Sequence, residues 1–170
     1  QALSIAANAS SNADEIRAAQ AMKISLKQAI GIANKQAKGI LIGAEFDDDD
    51  SDAVGNGGVY ELEFSDGTTE YEIKVDAMTG EVVKIDKDRA DSSDTNDYNR
   101  QRGVKISAMA VVNAIEKQTN SQVLGVEFKN DRDYADHPTY YEVEMLRGKQ
   151  IIELKIDAET GKEFFRKVKK

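Results

Sequence analysis

The stretch Val75-Asp76-Ala77-Met78-Thr79-Gly80-Glu81-Val82 returns 81 residues later as Ile156-Asp157-Ala158-Glu159-Thr160-Gly161-Lys162-Glu163. The register extends backwards. Tyr60-Glu61-Leu62-Glu63 falls on Tyr141-Glu142-Val143-Glu144 at the same offset, and Gly43-Ala44-Glu45-Phe46 falls on Gly125-Val126-Glu127-Phe128 at an offset of 82. One unit has therefore been used twice. Units of about 65 residues bury little surface alone, so the two copies are expected to pack against each other.

The recurring stretch has a mechanical reading. Tyr71, Ile73 and Val75 alternate into Asp76, whose carboxylate can accept hydrogen bonds from amides two or three residues on, and Gly80 can take a positive φ without steric penalty. This predicts a β-hairpin with a type I turn closed by a glycine bulge. Turn chemistry accounts for every residue, so neither a metal site at Asp76 nor a nucleophile at Thr79 is needed.

Ahead of each hairpin the order repeats. Ser25 stands where a helix N-cap belongs, followed by Leu26, Ala29, Ile30, Ala33 and Ala37 at helical spacing, with Gly39 as a stop. Ser107 heads the matching helix, with Ala108, Val111, Val112, Ile115 and Thr119 on its stripe. Short strands follow over 40–46 and 122–128, in which Ile42, Ala44 and Phe46, or Leu124, Val126 and Phe128, are expected to face the core. Polar loops (47–58 and 129–138), second strands (59–65 and 140–146), third strands, the recurring turn and fourth strands complete each copy. The fold class is α+β: α-β-β-β-β twice, each helix packed on an antiparallel sheet of three to four strands. The divisions are a mobile or short-helical segment over 1–22, unit one over 23–86, a polar and solvated linker over 87–105, and unit two over 106–170.

Charge is unevenly placed. Of a net −8, residues 24–86 carry 5 basic and 14 acidic side chains, while 106–170 carry 11 of each. With no basic stripe, nucleic acid is excluded as a partner, and the basic ending Arg166–Lys170 reads as a solvated terminus. No apolar run approaches the roughly 20 residues that span a bilayer. There are no cysteines, which removes disulfide and thiolate chemistry. The small polar stretch from Gln1 to Ser11 reads as the start of a processed, exported chain.

Strict alternation leaves one sheet face to the helix and the other open. Glu61, Glu63, Glu72 and Lys74 point to the open face in unit one, and Glu142, Glu144, Glu153 and Lys155 in unit two. Cross-strand Glu–Lys pairs, worth roughly 0.2–1 kcal/mol each, are a sufficient structural reason for them. Where unit one places Val59, Glu70 and Lys84 on that face, unit two places Tyr140, Ile151 and Phe165, so an exposed apolar cluster is expected there, packed against unit one, another protomer or a partner.

Candidate chemistry is sparse. His137 is the single histidine, reads as a loop residue and has no nucleophile partner at a recognisable spacing. Gly55-Asn56-Gly57-Gly58 lacks the Lys and helix of a P-loop. Asp48, Asp50 and Asp52 have the one-three-five spacing of a calcium loop, but Ala53 replaces its glycine and Val59 its bidentate glutamate, so a solvated tip is the stronger reading and weak calcium binding the alternative. No cofactor and no enzymatic pair of carboxylates is signalled.

Both copies resemble the PepSY domain family: a Ser-capped helix, a Gly-x-Glu-Phe strand, a Tyr-Glu-Val-Glu strand and the Val/Ile-Asp-Ala-x-Thr-Gly turn. The resemblance covers 24–86 and 106–167. It implies a non-catalytic bacterial module, periplasmic or secreted, some of whose relatives lie in propeptides of secreted metallopeptidases. The expected function is therefore binding, as a peptidase inhibitor or regulator acting through the open sheet faces, with a protein partner, a secreted peptidase foremost. The alternatives are a ligand- or calcium-responsive module of the cell envelope and a structural assembly component that self-associates. Candidate contact residues are Tyr140, Ile151, Phe165, Glu61, Glu63 and Glu72.

Overall fold

The computed structural model describes residues 2–118 and 120–169, with side chains from residue 12 onward. Unit one runs α2 (Leu26–Asn34), β1 (Ile40–Asp47), β2 (Val59–Ser65), β3 (Thr69–Asp76) and β4 (Val82–Arg89), and unit two runs α4 (Ala108–Glu116), β5 (Ser121–Asn130), β6 (Thr139–Arg147), β7 (Gln150–Asp157) and β8 (Glu163–Val168). The eight strands form one antiparallel sheet in the order β4-β3-β2-β1-β5-β6-β7-β8. The units are joined at the seam between β1 and β5, where Gly43 faces Glu127, Ala44 faces Val126 and Glu45 faces Gly125.

Helices α2 and α4 cover one face. Leu26, Ala29, Ile30 and Ala33 of the first helix and Ala108, Val111, Val112 and Ile115 of the second are buried. With Phe46, Leu62, Ile73, Val126, Val143 and Leu154 from the strands, they form a single core spanning both units. Thr119, expected on the second stripe, lies outside the described residues, as do Gln1 and Lys170. In β1 the inward residue is Leu41 rather than Ile42, because a bulge between Leu41 and Gly43 interrupts the alternation. The same irregularity between Val123 and Gly125 buries both Val123 and Leu124.

The recurring stretch does more than turn the chain. The Asp76 Oδ1 atom accepts from the Met78 and Thr79 amides, both at 2.9 Å, and Gly80 has φ 78°. The next residue anchors the helix of the same unit: the Ala77 carbonyl accepts from the Lys23 and Ile24 amides, and the Ala158 carbonyl from that of Ile106. From the core side, the Tyr60 hydroxyl donates to the Ile24 carbonyl at 2.6 Å and the Tyr141 hydroxyl to the Ile106 carbonyl at 2.7 Å. A short strand-to-helix clamp thus explains why alanine, buried completely, recurs in the motif.

Two expectations are corrected. The stretch 87–105, read as a solvated linker, is the end of β4 followed by helix α3 (Ser92–Gly103), begun by a capping box in which Asp91 and Asp94 each accept the other's backbone N–H. Its side chains tie it down at separated points: Thr95 donates to the Gly67 carbonyl, the buried Gln101 to the Leu41 carbonyl, and Asp97 accepts from Asn130. Ahead of unit one, helix α1 (Ala2–Ala21) replaces the expected mobile or short-helical opening. It buries Ala19 and packs against β7.

Candidate functional site

The face turned away from α2 and α4 is crossed by two continuous rungs of side chains. One reads Lys167, Glu153, Glu144, Gly125, Glu45, Glu61, Lys74, Lys84 from β8 to β4, and the other Phe165, Lys155, Glu142, Glu127, Gly43, Glu63, Glu72, Asp86. Exchanging the units maps one rung onto the other except at the ends, where Lys84 corresponds to Phe165 and Asp86 to Lys167. The expected Glu–Lys pairing therefore covers only part of the face. Glu45 stands opposite Glu61, Glu63 opposite Glu72, Glu72 opposite Asp86, Glu127 opposite Glu142 and Glu144 opposite Glu153. Directly opposed like charges destabilise a sheet, so fold stability does not explain this arrangement.

Over unit one the face forms a groove of about 610 Å³, whose charged lining is Glu45, Glu61, Glu63, Glu70, Glu72 and Glu127, then Asp86, Asp88 and one basic residue, Arg89, from β4, and the Asp91 and Asp94 carboxylates at the start of α3. Glu63 stands on its floor. Solvent still reaches this side chain, but the groove strips away much of its water, and this loss, then Glu70, Glu127, Asp94 and Glu72, pushes its pKa up to about 7. Burial and neighbouring carboxylates also raise Glu45 and Glu70. A second, smaller acidic recess of about 290 Å³ lies between Glu15 of α1, Glu45, Asp47, Asp48, Glu61, Glu144 and Lys169. There Glu15 is pushed up to about 8, by burial first and then by a hydrogen bond with Glu144 and that group's charge.

Equivalent lysines are held differently in the two units. Lys74 lies 2.8 Å from Asp50, 3.0 Å from Asp52 and 3.7 Å from Glu61, so the acidic loop folds over the sheet onto its own lysine. Of the calcium candidates, Asp50 and Asp52 are thereby engaged with an ammonium group. Among the described residues, Asp48, Asp50 and Asp52 do not converge as one set; the carboxylates that do are Asp47, Asp48 and Asp49, and Asp47, Asp50 and Glu61. Lys155 in unit two lies 3.6 Å from Glu142 and 3.4 Å from Glu153, with its Nζ 3.9 Å above the Phe165 ring.

The apolar cluster expected at Tyr140, Ile151 and Phe165 is not an exposed patch. Tyr140 and Ile151 are buried within the chain, and Phe165 is half-covered. Tyr140 donates to Asp131 and packs edge-on against Tyr134 and Phe164, while Ile151 lies on β7, the strand against which α1 packs. The chain covers this face with its own loop and helix, which alternation within the strands could not reveal. His137 likewise exceeds the loop reading: its Nδ1 is 2.6 Å from Asp157 and its ring stacks on Phe164 at 3.9 Å. It occupies the place taken in unit one by the Val54 and Gly55 amides, which donate to the second oxygen of Asp76.

The duplicated helix, the sheet and the turn that clamps them recur in a known family. PepSY, described as the peptidase propeptide and YPEB domain, matches residues 23–86 and 105–164. The chain belongs to the PepSY family. PepSY domains are propeptide and inhibitor-like modules, generally non-catalytic and typically found in exported proteins. No curated protein matches the chain. Among solved structures, a candidate lipoprotein of Clostridium difficile 630 is similar, at 23% identity and a TM-score of 0.49, covering 86% of this chain and 94% of that one. No helix among the described residues is long and apolar enough to cross a membrane.

Proposed function

We propose that this PepSY chain is a non-catalytic binding module of the cell envelope or the medium, periplasmic or secreted, that engages a protein partner through its open sheet face, with a secreted peptidase as the first candidate. The observation that carries the reading is the run of carboxylates placed directly opposite one another across β1 to β4. Such pairs work against the sheet, and a partner bringing opposite charge would relieve them. Glu61, Glu63 and Glu72 are the proposed contact residues. Tyr140 and Ile151 support the face from within.

The test is an inhibition assay of secreted metallopeptidases against a titration of the purified chain, run beside the variant Glu63→Gln/Glu72→Gln. Saturable inhibition weakened in the variant supports the proposal. No effect on any secreted peptidase, together with partner binding that ignores the face variant, overturns it.

A further inference from the structure

The reading above treats the open face as the binding surface; resting on it, we infer that the groove over unit one takes a lysine- or arginine-bearing extended segment of the partner, and that unit two's face is closed to such a segment by the chain's own lysines. In unit two the carboxylates already have ammonium groups: Lys155 reaches Glu142 and Glu153, Lys169 lies 3.0 Å from Glu144, and Lys129 lies 3.2 Å from Glu127 at the seam. In unit one, among the described residues, no basic nitrogen comes within ion-pair distance of Glu45, Glu63, Glu70 or Glu72. One oxygen of Glu70, which lines the groove, is buried with no hydrogen-bond partner at all. The two halves share a backbone and a rung pattern, and differ in how far the counter-charge is built in: on unit one's face Lys74 reaches Glu61 and Lys84 lies 3.5 Å from Asp86, while the four carboxylates above have none among the described residues.

The spacing indicates what could supply it. Glu45, Glu63, Glu72 and Asp86 are spread over β1 to β4, three strand intervals or about 14 Å. Glu63, Glu70 and Glu72 do not converge as a three-carboxylate set among the described residues, so one metal ion cannot satisfy the row. An extended peptide presents alternate side chains on one face about 6.8 Å apart, and two or three cationic ones would span this floor. The chain already shows the contact chemistry: Lys74, beside the groove, is held by three carboxylates. The raised pKa of Glu63 fits the same shortage, since a proton partly stands in for the missing cation. The charged groups that act on Glu63 are Glu70, Glu127, Asp94 and Glu72, all acidic; the nearby cations are Arg89 of β4, in the groove lining, and Lys129, which is held by Glu127.

The experiment uses the full chain and a ten-residue alternating Lys-Thr peptide, titrated by calorimetry at low salt, with an alternating Asn-Thr peptide as control. Binding is expected for the lysine peptide alone, tightening from pH 6 to 8 as Glu63 ionises. Removing two exposed-type ion pairs with Glu63→Gln/Glu72→Gln should weaken it about tenfold, whereas Glu142→Gln/Glu153→Gln should change it by less than about twofold. The unit-one variant relieves like-charge opposition and so should fold; because Glu142→Gln/Glu153→Gln also removes both carboxylates beside the buried Lys155, its fold is checked by circular dichroism, and Glu144→Gln, which loses only the pair to Lys169, serves as the second unit-two variant with the same expected result. No binding, or equal sensitivity to the two variants, overturns the inference. Stronger sensitivity to the unit-two variant overturns it while leaving the sheet-face function standing, and indifference to both removes both. Displacement of the peptide by millimolar calcium with a defined stoichiometry would make the groove a metal site and also overturn it.

Discussion

The two copies of the recurring turn allow one substitution to be made twice with different expected results. In unit one Asp76 is fully buried, and its two oxygens accept four backbone N–H groups, from Val54, Gly55, Met78 and Thr79, at 2.8–3.0 Å. Burial alone would raise its pKa, but the amides of Gly55, Thr79, Met78 and Val54 outweigh it and bring it down to about 2. From the ordinary aspartate value of 3.8 that is a preference of roughly 2 kcal/mol for the charged form in the folded state. In Asp76→Asn one oxygen can still serve Met78 and Thr79, while the new NH₂ faces two donors. Two bonds to a charged acceptor vanish, so a loss of about 2–4 kcal/mol is expected. In Asp157→Asn the retained oxygen serves Glu159 and Thr160 as before. The NH₂ now faces the His137 Nδ1, which as a neutral imidazole can accept, and the loss should be near 1 kcal/mol. Urea unfolding of the three proteins at pH 8, with equal m values, measures both. Equal losses would refute the argument that the second oxygen distinguishes the copies.

Four other outcomes follow from the same structure. Stability should fall as pH rises from about 5 to 8, because Glu63 and Glu15, with pKa values near 7 and 8, bind protons in the folded chain that the unfolded chain has released above 4.5; their contribution is complete below that value and lost through those pKa values. Melting temperatures across this range check it, and Glu63→Gln/Glu15→Gln should flatten the profile. Asp91→Ala removes the capping box of α3 and should cost about 1 kcal/mol, read as a lowered urea midpoint. Gly39→Ala should cost roughly 3 kcal/mol or more, since φ is +94° and an added Cβ would collide with the Ser65 carbonyl, while Gly31→Ala, in α2 with nothing within 4 Å, should gain about 0.5–1 kcal/mol in the same assay.

What the sequence made legible was whatever local patterning decides. Asp76 and Gly80 declared the turn, Ser25 and Ser107 the helix starts, and alternation the strands, each within a residue or two of its observed limit. Helix α3 escaped because its sequence has almost no apolar periodicity; Thr95 and Gln101 hold it through distant carbonyls, which no local window contains. The available signal was Asp91-Ser-Ser-Asp94, a capping pattern followed by eight residues without Gly or Pro. On the sheet face, the identities of the outward residues were legible but their partners were not. Tyr140, Ile151 and Phe165 read as sticky because their strand parity is outward; what encloses Tyr140 and Ile151, namely Tyr134 of the loop, Phe164 of β8 and α1, lies on other elements than their own strands.

The seam explains why the charge pattern is two-fold and why it is nevertheless unequal. Pairing β1 with β5 antiparallel relates the units by a pseudo-two-fold axis, so any outward residue in one copy reappears on the other rung of the other copy. Gly43 and Gly125 sit where the rungs cross the axis; a Cβ at Gly43 would come 3.3 Å from the Val126 carbonyl, and one at Gly125 3.4 Å from that of Ala44. Small residues here let the strands approach, and the bulge beside each glycine sets its rung in register with the other unit. Duplication therefore produces a carboxylate row across the entire sheet as a matter of geometry. Divergence acts on what stands beside the row. Unit two has Lys129, Phe165 and Lys169, which neutralise or cover its share, whereas unit one has Asp86, beside Lys84, at the end of its row and Asp91 and Asp94 above it. Both halves carry lysines on the face, but in unit one Lys74 is taken up by Asp50, Asp52 and Glu61 and Lys84 lies beside Asp86, so among the described residues Glu45, Glu63, Glu70 and Glu72 are the carboxylates left without a basic partner, and they are where the proposed partner would act.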